Sequence, residues 1–148
     1  YLQQLLMIYR SQEKYDSAIN KYCDVCNKYL SDKKFVYDAS NVTLAIYRCI
    51  DGKPIISSDN KVQLNQLSSG EKQIVSIFSQ IYLEQNKKYV VLFDEPELSL
   101  SIYWQENLLP DIIASGNCMF LMAVTHSPFI FGDKLKQYTI GMHEFIKR

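Results

Sequence analysis

No run of the sequence is apolar for the roughly 20 residues that a bilayer span requires. Nor does a basic start, an apolar core and a small-residue cleavage site open the chain. These two absences predict a soluble, cytoplasmic protein with no membrane partner. Net charge is also lacking, because 16 Lys plus Arg balance 16 Asp plus Glu. That balance excludes a global basic footprint for nucleic acid while leaving room for a local patch on one face. There are no internal repeats and no low-complexity linker. A hydrophobic content of 47% over 148 residues describes a globular chain with a real core. The first position lacks Met, and Tyr1 already lies inside a helical pattern, which predicts a piece of a longer protein.

Four cysteines are present, at positions 23, 26, 49 and 118. "YCDVC" has the C-x-x-C spacing of zinc and redox sites, but no second pair or nearby His supplies the remaining ligands. Ile19, Tyr22, Cys23, Cys26, Tyr29 and Leu30 fall at helical spacing on one apolar stripe. Cys23 and Cys26 therefore read as small core hydrophobes, reduced as suits the cytoplasm.

Residues 1 to about 31 read as a helix that "SDKK" breaks, and "FVYDAS" and "VTLAIYRC" read as strands. "DGKP" is a turn before a further extended piece around "IISS". A helix from about Gly70 to Gln85 puts Ile74, Ile77, Phe78, Ile81 and Tyr82 on one face. A strand ending at Phe93, a helix near 101–114, the strand "MFLMAV" and a last strand near "QYTIGM" complete the chain. Strand and helix alternate from residue 70 onward, so the expected class is α/β, a mostly parallel sheet flanked by helices.

Three short motifs carry chemistry. In "LSSGEKQ", Ser68 and Glu71 have the spacing of a capping box, while Ser68, Ser69 and Gly70 also offer hydroxyls and open backbone at a helix N-terminus, where anions bind. In "VVLFDEPELSL", Asp94 and Glu95 follow an unalternating apolar run, as a strand buried on both faces reads. Buried-strand ends tolerate charge only when something compensates it, and in open α/β sheets they are where ligands bind. The bland alternative is a loop cap. A Walker B strand is the functional one, with a magnesium-associated carboxylate followed by one that orients or deprotonates water. In "MAVTHSPFI", His126 sits at the end of another apolar strand, which should neighbour the first. Alone it reads as structural, with Ser127 and Pro128 as a possible N-cap and first-turn proline.

In this order and spacing, the three motifs resemble the C-terminal half of an ABC-type ATPase head over roughly residues 60–132. More narrowly, "LSSGEKQ", "DEPELSLS", "WQ" and "THSPFI" resemble soluble AAA-type ATPases of the SMC, RecF and OLD group, above all the PtuA-like ATPases of bacterial antiphage defence and retron systems. The resemblance implies ATP and Mg²⁺ as cofactors. It implies Asp94 as the metal-associated carboxylate, Glu95 as general base and His126 as γ-phosphate sensor. Ser68, Ser69, Gly70 and Glu71 would contact ATP bound on the opposing subunit, since such heads sandwich nucleotide in a homodimer or higher oligomer. It further implies an effector partner, a nuclease or reverse-transcriptase complex. It makes residues 1–31 the returning part of a helical arm or insertion and residues 32–148 the C-terminal lobe. Leu98 to Ser101 would form the D-loop, where Ser101 stands in place of the Asp of transporter-like relatives.

The family's phosphate-binding run, G-x-x-x-x-G-K-[ST], is missing, and "DGKP" does not supply it, since Pro54 replaces the hydroxyl. The expectation is that this chain alone neither binds nor hydrolyses ATP. Two alternatives remain: a nucleotide-gated scaffold with little turnover, which the presence of Glu95 argues against, and a RecF- or SMC-like DNA-repair head that would add nucleic acid as a partner.

Overall fold

The computed structural model describes residues 2–84 and 86–144 and divides the chain into two compact units, Tyr1–Lys88 and Tyr89–Arg148. In the first unit a long helix, α1 (Leu2–Asn27), precedes two paired strands, β1 (Lys33–Asp38) and β2 (Thr43–Ile50). The predicted stripe is buried except at Ile19, which is half-buried, and its last members, Tyr29 and Leu30, lie beyond the helix, which ends at Asn27 rather than near residue 31. Tyr22, Cys23, Val25, Cys26, Tyr29 and Leu30 all enter the core, whereas Leu2, Met7 and Tyr9 at the other end are exposed. Tyr22 meets Phe35 of β1 edge to face, with ring centroids 5.2 Å apart. The helix end is fastened to the strand by Asn27, whose Oδ1 accepts from the Phe35 amide at 2.8 Å and whose Nδ2 donates to the Phe35 carbonyl at 3.0 Å.

β1 and β2 are antiparallel, in register from Lys33 opposite Arg48 to Asp38 opposite Thr43. Asp51 and Gly52 both have positive φ, 50° and 73°, the two-residue turn that matches strand twist, and they return the chain into β3 (Lys53–Pro54). The extended piece expected around "IISS" is short: the Ile55 amide bonds to the Arg48 carbonyl, after which Ser58–Asn60 forms a 3₁₀ turn. A second short strand, β4 (Lys61–Val62), also pairs antiparallel with β2.

α2 (Ser69–Phe78) then buries Ile74, Val75 and Phe78, with Phe78 stacked at a tilt on Tyr29. The expected helix to Gln85 does not continue as such: residues Ser79–Leu83 widen into a π turn that buries Ile81.

The second unit holds the parallel pair. β5 (Tyr89–Asp94) lies beside β6 (Cys118–Val124), with Asp94 opposite Val124. Between them runs α3 (Ile102–Ala114), which starts at Ser101, whose Oγ accepts from the Trp104 amide, and buries Leu108, Leu109 and Ile112. This β-α-β crossover, with helices and a parallel sheet, is the α/β class expected, and the antiparallel ladder of the first unit is an addition to it.

Two expectations are corrected here. β5 is not buried on both faces: Val90 and Leu92 are 62% and 63% exposed, so one face of the strand is open among the described residues. "QYTIGM" is not a strand: α4 (Gly132–Leu135) passes into a 3₁₀ turn at Lys136–Tyr138. The Thr139 hydroxyl closes that turn by donating to the Lys136 carbonyl at 2.7 Å.

The C-x-x-C pair belongs to the core. Cys23 and Cys26 are free and buried, and burial pushes their thiols up to about 11 and about 12. With the thiolate suppressed, alkylation at neutral pH should run at least about 100-fold slower at both than at a free thiol. Mass mapping after iodoacetamide labelling of the native protein would show it, and comparable labelling of all four cysteines would return the pair to the list of redox candidates.

Candidate functional site

In the first unit the serine-glycine turn is built as a cap. Ser68 Oγ accepts from the Glu71 amide at 3.3 Å, and Glu71 Oε2 accepts from the Ser68 amide at 2.8 Å, so two orphan donors of the helix start are satisfied reciprocally. Ser68 and Ser69 stay exposed, Gly70 is buried, and Glu71 is only 7% exposed. A carboxylate that deep needs a counter-charge, and Lys33 at the start of β1 provides it, with Nζ 2.7 Å from Glu71 Oε1 and 2.8 Å from Asp32. Burial opposes ionisation of Glu71, yet Lys33 and the Ser68 amide outweigh it and hold the carboxyl below its ordinary range. Burial likewise lowers Lys33, and the two carboxylates overcome this and raise it. The outcome is a helix N-terminus with two exposed serines and its carboxylate locked inward.

In the second unit the strand-end motifs come together. The Glu95 amide extends the ladder by bonding to the Val124 carbonyl at 2.8 Å. The chain then turns sharply: Glu95 has φ of 47°, Pro96 is fully buried, and Ser99 has φ of 66°. A left-handed conformation at a non-glycine residue is strain that surrounding structure must hold, and here it aims a carboxylate at the adjacent strand end. Glu95 Oε1 lies 3.8 Å from His126 Nε2, longer than a hydrogen bond, with the side chains 43% and 88% exposed. Asp94, the last residue of β5, is exposed beside them. Its hard oxygens suit Mg²⁺, which keeps several waters and shares phosphate oxygens rather than using an all-protein cage. Among the described residues no group of three or more His, Cys, Asp or Glu is gathered to hold a metal by itself.

Sequence reasoning missed Glu97 and Lys33, and it gave Gln105 no role. Glu97 Oε1 accepts from the His126 amide at 2.9 Å and the Ser127 amide at 3.2 Å, while its Oε2 is buried with no hydrogen bond. Burial raises the Glu97 carboxyl, but the Thr125 hydroxyl and the backbone amides pull it below the usual range. Ser127 Oγ in turn donates to Gln105 Oε1 at 2.6 Å, and Gln105 Nε2 donates to the Leu100 carbonyl at 3.0 Å. The only sequence signal was a third acid, one residue beyond Pro96, in a stretch that already had two.

The second unit thus combines a parallel strand pair, an α crossover, and acidic and histidine residues at the strand ends. Among solved structures the fold is similar to the one titled "Crystal structure of the SmcHead bound to the C-winged helix domain of ScpA", with a TM-score of 0.52 and 13% identity. The match covers 78% of this chain and 36% of that one, so the chain spans little more than a third of that head. Residues 55–132, just over half the chain, match the family described as "AAA domain, putative AbiEii toxin, Type IV TA system", and the chain belongs to that family. No curated protein matches it. No helix among the described residues is long and apolar enough to cross a membrane.

Proposed function

We propose that this chain is the C-terminal part of an ABC-type ATPase head, of the PtuA-like kind, that dimerises on ATP and governs an effector in antiphage defence. The single observation that carries the reading is the approach of Glu95 and His126 from the ends of two parallel strands, 3.8 Å apart, in a chain of an AAA-domain family. The absence of a phosphate-binding glycine run means that the phosphate cradle is supplied outside these residues.

Each residue then has a role that its placement supports. Glu95, half-exposed at the strand end, would position a water and take its proton, and His126 would meet the γ-phosphate. Asp94 would hold Mg²⁺, which supplies charge compensation on the phosphates. Ser68, Ser69 and Gly70 would reach the γ-phosphate of ATP on the opposing head. Glu71 belongs to the same signature and acts by fixing the turn through Ser68 and Lys33. Residues 1–31 are the returning part of an arm, residues 32–148 the lobe, and the exposed Leu2, Met7 and Tyr9 fit an arm that packs on another helix. The effector is a nuclease or reverse-transcriptase complex, with the cytoplasm as its location.

The test compares the full-length protein with residues 1–148 alone, with ATP and magnesium. Turnover per head should rise steeply with concentration for the full-length protein and be absent for the piece. Hydrolysis by the piece itself, or a rate per head independent of concentration, overturns the reading.

A further inference from the structure

We propose that Glu97 is a positioning residue that sets where His126 stands. This deepens the reading given above and rests on it for the catalytic consequence, but the clamp itself rests on geometry within one unit.

The loop after β6 leaves the sheet at Thr125, so the amides of His126 and Ser127 have no strand to bond. One carboxylate oxygen accepts from both, at 2.9 and 3.2 Å, reaching across 29 and 30 residues of sequence, and the Ser127 amide is shared with Thr125 Oγ1 at 3.0 Å. Charge-assisted bonds of this kind are shorter and about twice as strong as neutral ones, so two on consecutive residues fix the backbone direction at His126. The imidazole has no comparable restraint of its own. Its side chain is 88% exposed and stands 3.8 Å from Glu95 Oε1. Backbone placement therefore decides where the ring can go.

Glu97 is itself held. The Leu98 amide bonds to the Glu95 carbonyl and the Leu100 amide to the Glu97 carbonyl, so the turn after the strand is closed on both sides of Glu97. The tie continues through Ser127 and Gln105 to the Leu100 carbonyl, making a closed circuit between the loop that carries His126 and the segment that follows Glu95. Residues 98–101 are thereby tied to the loop that carries His126 by two routes, the Glu97 carboxylate and the Ser127–Gln105 pair.

The experiment uses the full-length protein with Glu97→Ala, Glu97→Gln, His126→Ala and the Glu97→Ala/His126→Ala double variant. Glu97→Ala should lower kcat for ATP about 10- to 100-fold, the scale of a misplaced catalytic group, with KM changed less than about two-fold. Glu97→Gln keeps an oxygen for the two amides and should recover most of that loss. The deciding comparison is the double variant: if Glu97 acts through His126, it is no slower than His126→Ala alone. An additive loss, or equal loss in Gln and Ala, overturns the proposal in favour of general stability. Amide hydrogen exchange, read without ATP, keeps the clamp separate from the functional reading. Glu97→Ala should speed exchange at residues 126 and 127 selectively, even if the wild type proves to have no turnover. Unchanged protection there overturns the clamp.

Discussion

Replacing Glu95 by Gln should lower ATP turnover by the full-length protein about 100- to 10,000-fold, the contribution expected of a positioned general base. The substitution keeps size and one oxygen, and it leaves the backbone bond from residue 95 to the Val124 carbonyl untouched. What it removes is the capacity to accept a proton. Nucleotide binding should persist, and the ATP-bound dimer should accumulate because its exit by hydrolysis is blocked. Single-turnover hydrolysis together with mass measurement in the presence of ATP reads both effects. Full activity with Gln at 95 would mean that the strand-end carboxylate does not handle the proton and that a nucleotide-gated scaffold describes the protein better.

The second large effect lies in the other unit. Lys33→Met should cost about 3 kcal/mol of stability at neutral pH, because Glu71 would remain buried without its counter-charge. The pH dependence follows from the direction of each shift. The folded carboxyl of Glu71 lies below its ordinary value, so its contribution is present above the ordinary Glu range and is lost as pH falls through the folded value. The gap between wild type and Lys33→Met should therefore be widest near neutrality and close as pH falls below the ordinary Glu range, where Glu71 takes a proton. Lys33 is raised, so its share persists below the ordinary Lys range and disappears only as pH rises through the raised value. Urea midpoints across this range measure the effect. A gap independent of pH would show that Lys33 contributes through packing of its aliphatic stem.

Most of the elements were legible because periodicity reports burial. The α1 stripe, the β1 and β2 runs and the crossover from β5 to β6 each follow a pattern that one face of the chain must bury. The short strands β3 and β4 were not legible as strands, since two residues carry no period and both exist only by pairing with β2. Tyr138, Thr139 and Ile140 have strand-forming side chains, yet residues 136–139 close into a turn instead of forming a ladder. Within the site, Asp94, Glu95 and His126 were legible because strand ends are readable from apolar runs. Glu97 and Lys33 were not, because each works on a partner far along the chain, 29 residues away for the His126 amide and 38 for Glu71. Sequence reasoning finds groups at strand ends more readily than the groups that bond to them from far along the chain.

The left-handed backbone at Glu95 has a last consequence. Glycine would occupy that corner without steric cost, whereas a residue with a Cβ loses about 1 kcal/mol to be there. The corner is thus a place where a more robust molecule and a more capable one require different residues. A search that rewarded heat resistance alone would drift toward glycine at this position and would discard the carboxylate.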